Sequence, residues 1–328
     1  MNRRFNLVDL FCGAGGFALG FKQIGFRVLL GIDNDKAPAR TFKYNFPEAI
    51  VLTEDIKEVS CSEILLLIKR FLGEDINIDV VIGSPPCEPF TAANPKRMRN
   101  PIDRLYSDPI GRLVLHFIRI VGELKPKVFV MENVPGILEP SIMRAIRREF
   151  QRAGYDEIYF NKLLAEDYCN PSHRLRVFIS NIKIKPPRKC IKPPTVEEVL
   201  KDLPPPGSRE IPNHEPLPLS SRKLKRIARL GWGKPLIYYE GANKRLPNLI
   251  RLDPRRHAPT VLGSSRFIHP YENRFLTVRE QARLMGFPDN HVFFGGRDEQ
   301  YNQVGEAVPV PLAKAIAEEV IRYLEGEG

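Results

Sequence analysis

The chain lacks most of the features that announce a function class at first sight. Its five cysteines, at positions 12, 61, 87, 169 and 190, form no CxxC pair. Their odd number fits no closed disulfide framework, so the expectation is that all thiols are reduced. No uninterrupted apolar stretch approaches the roughly 20 residues needed to cross a bilayer. Met1-Asn2-Arg3-Arg4 leads straight into a short strand-like segment, Phe5 to Leu10, and not into a signal peptide. The expectation is therefore a soluble, cytoplasmic protein with no membrane partner. No internal repeat is present, and neither GxxxxGK(S/T) nor GxGxxG occurs at the glycine-rich loop, which argues against ATP and NAD. Acid is scarce as well: 39 Asp and Glu face 50 Lys and Arg, a formal net charge of +11. Hydrophobic residues at 43% and charged residues at 27% are ordinary globular values, which excludes a wholly disordered chain.

The charge is not spread evenly. Residues 183–256 hold 18 Lys and Arg against 7 Asp and Glu, while the rest of the chain is balanced at 32 of each. The same segment carries 13 of the 30 prolines, which break regular elements. It reads as loop-rich, with short strands and one basic helix from Ser220 to Leu230. A solvated basic linker is the bland reading; an inserted module that grips phosphates is the sharper one.

Before Lys183 the pattern alternates strand and helix. Apolar runs at Leu7–Leu10, Val28–Ile32, Ile50–Leu52, Val80–Ile82 and Val128–Met131 have strand length. Helical stretches lie between them: Phe17, Phe21 and Ile24 at helical spacing, then Ser62–Phe71 and Arg112–Leu124. Ser141–Ala153 reads as a helix, and Ile158–Leu164 and Arg176–Ile182 as two later strands. After the basic segment, Thr277–Met285 and Pro311–Leu324 read as helical. Such alternation predicts a parallel sheet covered by helices on both faces.

Two sheet-edge constellations carry chemistry. The first strand ends in Asp9-Leu-Phe-Cys-Gly-Ala-Gly-Gly16, where glycines let backbone approach a ligand. The next strand delivers Asp33, 20 residues after Gly13, suited to accept adenosine ribose hydroxyls, and the third delivers Asp55, suited to an adenine amine. Each aspartate alone could equally cap a helix; together at successive strand ends they favour a nucleoside cofactor without phosphates. The fourth strand runs into Pro85-Pro86-Cys87, two prolines fixing the backbone before a sulfur at the sheet edge. A solitary cysteine is ordinarily buried and inert; that placement makes it a candidate nucleophile. The neighbouring strand ends in Glu132-Asn133-Val134, so Cys87 and Glu132 form a nucleophile and acid pair.

The order of Asp9–Gly16, Pro85-Pro86-Cys87, Glu132-Asn133-Val134 and Arg174-Leu175-Arg176 resembles the cytosine-5 DNA methyltransferase family, as do Arg274–Asp289 and Gln303–Leu312. The resemblance covers nearly the whole chain except the basic segment. It implies an α/β fold: a Rossmann-like methyltransferase sheet with helices on both faces, plus a smaller loop-rich target-recognition domain. It divides the chain into a catalytic, S-adenosylmethionine-binding domain (1–182), the basic target-recognition domain (183–256) and a returning part (257–328). Cys87 would add to carbon 6 of cytosine, Glu132 would hydrogen-bond ring nitrogen 3, and Arg176 would contact the flipped base with Arg174 beside it. Phe11, Gly13, Gly15, Asp33, Asp55 and Pro85 would line the pocket for S-adenosyl-L-methionine, whose product is S-adenosyl-L-homocysteine; no metal is implied. Arg97, in the basic loop after Cys87, and Arg222, Lys223, Lys225 and Arg226 on the basic helix would meet nucleic acid. The partner implied is double-stranded DNA met by a monomer, with RNA, a partner restriction endonuclease and a non-catalytic nucleic-acid-binding relative left as alternatives. An NAD-dependent oxidoreductase is the competing class. Three positions depart from the family's pattern: Ser172 where glutamine is usual, Glu306 where asparagine is usual, and Glu88 after the cysteine.

Overall fold

The computed structural model describes residues 4–73, 76–242, 244–263 and 266–326. Strand and helix alternate from the start: β1 (Asn6–Leu10), α1 (Gly16–Gln23), β2 (Arg27–Ile32), α2 (Lys36–Asn45), β3 (Ile50–Leu52), α3 (Cys61–Leu72) and β4 (Val80–Gly83). A long loop holding the short α4 (Asp103–Tyr106) leads to α5 (Leu113–Leu124), β5 (Val128–Asn133), α6 (Pro140–Arg152), β6 (Tyr159–Leu164) and β7 (Leu175–Ser180). The remainder contains α7 (Val196–Leu200), α8 (Ser221–Ala228), β8 (Pro235–Glu240), β9 (Arg245–Ile250), α9 (Val278–Arg283), α10 (Arg297–Glu306) and α11 (Val310–Leu324).

The first seven strands form one Rossmann-like sheet in the order β3-β2-β1-β4-β5-β7-β6. The pairs from β3 to β5 are parallel, as the alternation predicts. The expectation of a wholly parallel sheet needs correcting at the far edge, where β7 runs antiparallel to both β5 and β6. The reason lies in residues 165–174, which hold only a 3-10 turn, Ala165–Tyr168. A parallel return requires a crossover of a dozen or more residues; this link is too short, so the chain turns back on itself.

The period of two along each strand supplies both faces. Val8 and Leu10 of β1 join one core with α3, α5 and α6. Leu7 points the other way, into a core shared with α1 and α11. Helix α3 starts where the Ser60 hydroxyl accepts the Glu63 amide at 3.2 Å, and it buries Ile64 and Ile68, one turn apart. Helix α11 returns the chain to α1 so closely that a Cβ on Gly20 would lie 2.4 Å from that of Ala313 and 2.5 Å from the Lys314 nitrogen. A third core gathers Val196 and Leu200 with Leu276, Leu284, Met285, Phe293 and Tyr301.

The basic segment contains the basic helix α8 and the antiparallel β8–β9 pair. Ser220 caps α8 by accepting the Lys223 amide at 3.4 Å, and Ile227 is its buried anchor. Ile227 packs with Ile268 and Phe275, residues beyond position 256. Residues from this segment therefore contribute to three separate clusters: Ile184 to the core of α1 and α11, Val196 and Leu200 to the third core, and Ile227 to this one.

The expectation of reduced thiols is overturned at one pair: Cys169 and Cys190 form a disulfide, leaving Cys12, Cys61 and Cys87 free. An odd count excludes a closed framework of all cysteines but not a single bridge. After β7 the chain doubles back, and the Lys189 and Cys190 amides both donate to the Asp167 carbonyl, which brings Cys190 beside the turn that ends at Cys169. Among the described residues no helix is long and apolar enough to cross a membrane.

Candidate active site

The carboxyl ends of β1, β2, β4 and β5, together with the start of β7, place the predicted site residues along one edge of the sheet. At β1 the backbone turns sharply: Phe11, Gly13 and Gly15 have φ of 59°, 52° and 84°. At Gly15 a Cβ would sit 2.4 Å from the Phe46 ring, so both the left-handed backbone and the packing demand glycine. At Gly13 a Cβ would meet nothing within 4 Å, so that backbone faces open space.

Asp33 clasps this loop. Its Oδ2 accepts the Gly13 amide at 2.9 Å and its Oδ1 the Asp35 amide at 3.0 Å. A carboxylate offers about four lone-pair sites, so two acceptor positions remain. Burial raises the Asp33 pKa, and the two amides pull against it. Asp9 beneath it is 1% exposed, has one oxygen without a partner, and is pushed well above the usual carboxylate range by burial and then by Asp33. Cys12 is likewise driven up by burial and by both aspartates, which leaves it inert. Asp55 follows β3 in a turn: its Oδ1 accepts the Lys57 amide at 3.0 Å and its Oδ2 meets the Lys57 ammonium at 3.1 Å. Those contacts, the amide first, lower its pKa. A cleft of about 690 Å³ opens beside Asp33, lined by Asn34, Asp35, Lys36, Ala37, Arg40, Gly295 and Glu299.

At β4 the Pro85-Pro86-Cys87 turn is held from two sides. Asn133 Nδ2 donates to the Pro85 carbonyl at 3.2 Å, and the Phe90 and Thr91 amides donate to the Cys87 carbonyl at 3.0 and 3.1 Å. Cys87 is partly buried. Burial raises its thiol pKa most and Glu132 adds to that, while Arg176 and Arg174 oppose both. Glu132, 5% exposed at the end of β5, is matched by Arg176 on β7, whose Nε lies 2.8 Å from its Oε1. Cys87, Glu132 and Arg176 thus stand together at adjoining strand ends. A buried carboxylate of this kind needs such a partner.

Arg174 does something other than pair with Arg176. It is 2% exposed, and its Nη1 and Nη2 donate to the Val261 and Glu306 carbonyls at 2.9 and 3.3 Å. Burial lowers its pKa to about 9. It pins the returning chain behind the site, and its charge still reaches the Cys87 thiol. Arg97 folds back, donating to the Phe90 carbonyl at 3.3 Å. On α8, Arg222, Lys223, Lys225 and Arg226 are all exposed; Arg226 donates to the Leu236 carbonyl at 3.0 Å and Lys223 lies 5.9 Å from the centre of the Phe275 ring.

The three departures have distinct surroundings. Ser172 is fully buried and donates to the Leu284 carbonyl at 2.7 Å, tying the link before Arg174 to the end of α9. Glu306 supplies its backbone carbonyl to Arg174; burial and then Glu88 and Asp33 raise its carboxyl pKa. Glu88 is exposed beside Cys87. Sequence reasoning missed His291, whose Nε2 donates to the Ala14 carbonyl at 2.9 Å from 277 positions away. It also missed Asn133 as the clamp on Pro85, although Asn133 follows Glu132 directly.

The family model described as C-5 cytosine-specific DNA methylase matches residues 5–322 of this chain. A Methanocaldococcus jannaschii protein assigned by name to the type II methyltransferases, M.MJ0563P, is 50% identical over 323 residues, covering 97% of this chain and all of that protein. The type II methyltransferase M.DdeI of Desulfomicrobium norvegicum is 31% identical over 386 residues, covering 98% of this chain and 89% of its own length. Among solved structures, an Escherichia coli prophage-encoded protein assigned as a DNA modification methyltransferase superposes with a TM-score of 0.77 at 27% identity, covering 98% of this chain and 99% of that one.

Proposed function

The chain belongs to the C-5 cytosine-specific DNA methylase family, and from that premise we propose how its residues divide the work. The enzyme transfers methyl from S-adenosylmethionine to cytosine in DNA. The observation that carries the assignment of roles is the grouping of Cys87, Glu132 and Arg176 at adjoining strand ends.

The cofactor end fits the group the family uses. Gly13 presents backbone to open space, Asp33 retains acceptor positions, and Asp55 stands at the same edge. We assign the pocket to Phe11, Gly13, Gly15, Asp33, Asp55 and Pro85. S-adenosylmethionine, when bound there, supplies the electrophilic methyl that carbon 5 accepts.

Carbon 5 of cytosine is too poor a nucleophile to accept it unaided. The Cys87 thiolate adds to carbon 6, forming a carbon–sulfur bond and moving an electron pair into the ring toward nitrogen 3. Glu132, in its protonated form, donates to ring nitrogen 3 and accepts from the exocyclic amine, so its proton stabilises that charge, and Arg176 holds Glu132 in place. After methylation the carbon-5 proton leaves, the carbon–sulfur bond breaks and the thiolate returns. The raised pKa of Cys87 makes the free thiol mostly protonated at neutral pH, so Arg176 and Arg174 supply the charge that favours its ionised form. A base paired inside a duplex is beyond reach of Cys87, so the target cytosine is swung out of the duplex toward Cys87 and Glu132. Residues 183–256 form the target-recognition unit set on catalytic residues 1–182, with 257–328 returning to complete the frame. The type II naming of the relatives supports service beside a restriction endonuclease.

Replacing Cys87 with alanine is expected to lower turnover by at least about a thousandfold while S-adenosylmethionine binding survives. Labelled cofactor offered with separate DNA and RNA pools measures turnover and substrate together. A duplex containing 5-fluorocytosine should trap a covalent adduct with the wild type and none with Cys87→Ala. Methylation by the variant at the wild-type rate would end the proposal.

A further inference from the structure

At the link between β6 and β7, three side chains with metal-ligating chemistry converge from two stretches of the chain. Glu166 lies on the 3-10 turn after β6, His173 shortly before β7, and His257 on the chain returning from the basic segment. One carboxylate oxygen of Glu166 and one ring nitrogen of each histidine all lie within 4.8 Å of one another.

The backbone holds this grouping in place. The His173 amide donates to the Ala258 carbonyl at 2.8 Å, the Ala258 amide donates to the Pro171 carbonyl at 2.8 Å, and Ser172 and Ala258 form a parallel bridge. Glu166 is 9% exposed; its Oε2 accepts the Arg174 amide at 3.2 Å and its Oε1 contacts His173 Nδ1. A carboxylate oriented by a backbone amide, facing two imidazoles open to solvent, is the arrangement of a ligand set supported by its outer hydrogen bonds.

We propose that Glu166, His173 and His257 bind a divalent transition-metal ion of the zinc type. Two imidazole nitrogens and one carboxylate oxygen suit a borderline-soft ion, which takes such donors at about 2.0–2.2 Å. Calcium and magnesium prefer an all-oxygen shell, so this donor set disfavours them. Solvent would supply the fourth position. The ion acts as a clip: it joins the turn after β6, the approach to β7 with Arg174 and Arg176, and the chain's re-entry after the basic segment. The ligands fall at positions 166, 173 and 257, a spacing with no recognisable motif.

Cobalt(II) titrated into the full chain tests this, because its visible absorption reports coordination geometry. One saturable site is expected, displaced by zinc, retained in Cys87→Ala and weakened at least about tenfold in both His257→Ala and Glu166→Gln. His257 is exposed, so its alanine variant keeps the fold. Zinc should accordingly raise the melting temperature of the wild type and leave that of His257→Ala unmoved. The proposal falls if no saturable site appears, or if His257→Ala binds cobalt as tightly as the wild type. Loss of binding in Cys87→Ala with no effect of His257→Ala would assign the metal to the active-site thiol and overturn it equally.

Discussion

Individual residues at this site are tuned by burial more than by contact with charge. His291 is the clearest case: 3% exposed, its ring donates to the Ala14 carbonyl, and burial holds its pKa at about 3. The unfolded chain protonates it near 6.5, so the unfolded state binds the extra proton across the interval between those values. Stability from a neutral His291 is therefore complete above pH 6.5 and is lost as pH falls toward 3. Between pH 7 and 4.5 the loss amounts to roughly 2–3 kcal/mol. Urea unfolding of the wild type and of His291→Gln across that range measures it; the glutamine can still donate to Ala14 but does not titrate. Identical pH slopes for the two proteins would remove His291 from this role. Nothing in the local sequence marks that histidine, because its partner lies 277 positions away.

At the scale of elements, the close packing of α11 on α1 returns the carboxyl end of the chain to the glycine-rich loop. Gly20→Ala places a methyl against the Ala313 Cβ and the Lys314 backbone. Alanine gains about 1 kcal/mol in helix propensity, but overpacking against backbone costs about 1–3 kcal/mol, and overlap at 2.4 Å falls at the costly end. A net loss of about 2 kcal/mol is expected in denaturant unfolding; unchanged stability would mean the helices simply move apart. The sequence made these two helices and most of the sheet legible, because their apolar residues repeat at clean periods. It failed at α2, whose polar run carries only Ala39, Thr41 and Phe42 to the core, and at α10, where buried positions follow no single face. The antiparallel β7 was hidden for another reason: strand direction depends on the length of a connection, which apolar runs do not encode. Cys87 and Glu132 could be picked out because one follows an apolar strand through Pro85-Pro86 and the other lies at the end of one. Asn133 and Ser172 act through contacts on the backbone of other segments, which no spacing reveals.

For the whole molecule, the net charge of +11 resolves into a balanced frame and one basic segment. The structure narrows the candidates for phosphate contact on α8. All four side chains are exposed, but Lys223 lies 5.9 Å from the centre of the Phe275 ring and Arg226 donates to the Leu236 carbonyl, whereas Arg222 and Lys225 have no side-chain hydrogen-bond or ion-pair partner among the described residues. Replacing Arg222 and Lys225 together with alanine is expected to lower DNA affinity and reduce the slope of log affinity against log salt by about 1.8, at about 0.9 per phosphate contact. S-adenosylmethionine binding should not change. Filter binding or anisotropy over a salt series checks the slope, and an unaltered slope would place the DNA elsewhere on the molecule.

The small core beneath α8 is completed by Ile268 and Phe275, and the Ala242 amide donates to the carbonyl of Ala92 in the loop after Cys87. The basic segment is therefore not a self-contained cassette. A graft of residues 183–256 into a relative would arrive without two of its own packing partners and with one hydrogen bond searching for a stranger's loop. On the proposed target-recognition role of residues 183–256, a new specificity would have to be inherited together with the loop after Cys87 and the chain through Phe275, and divergence in one would be mechanically tied to divergence in the other.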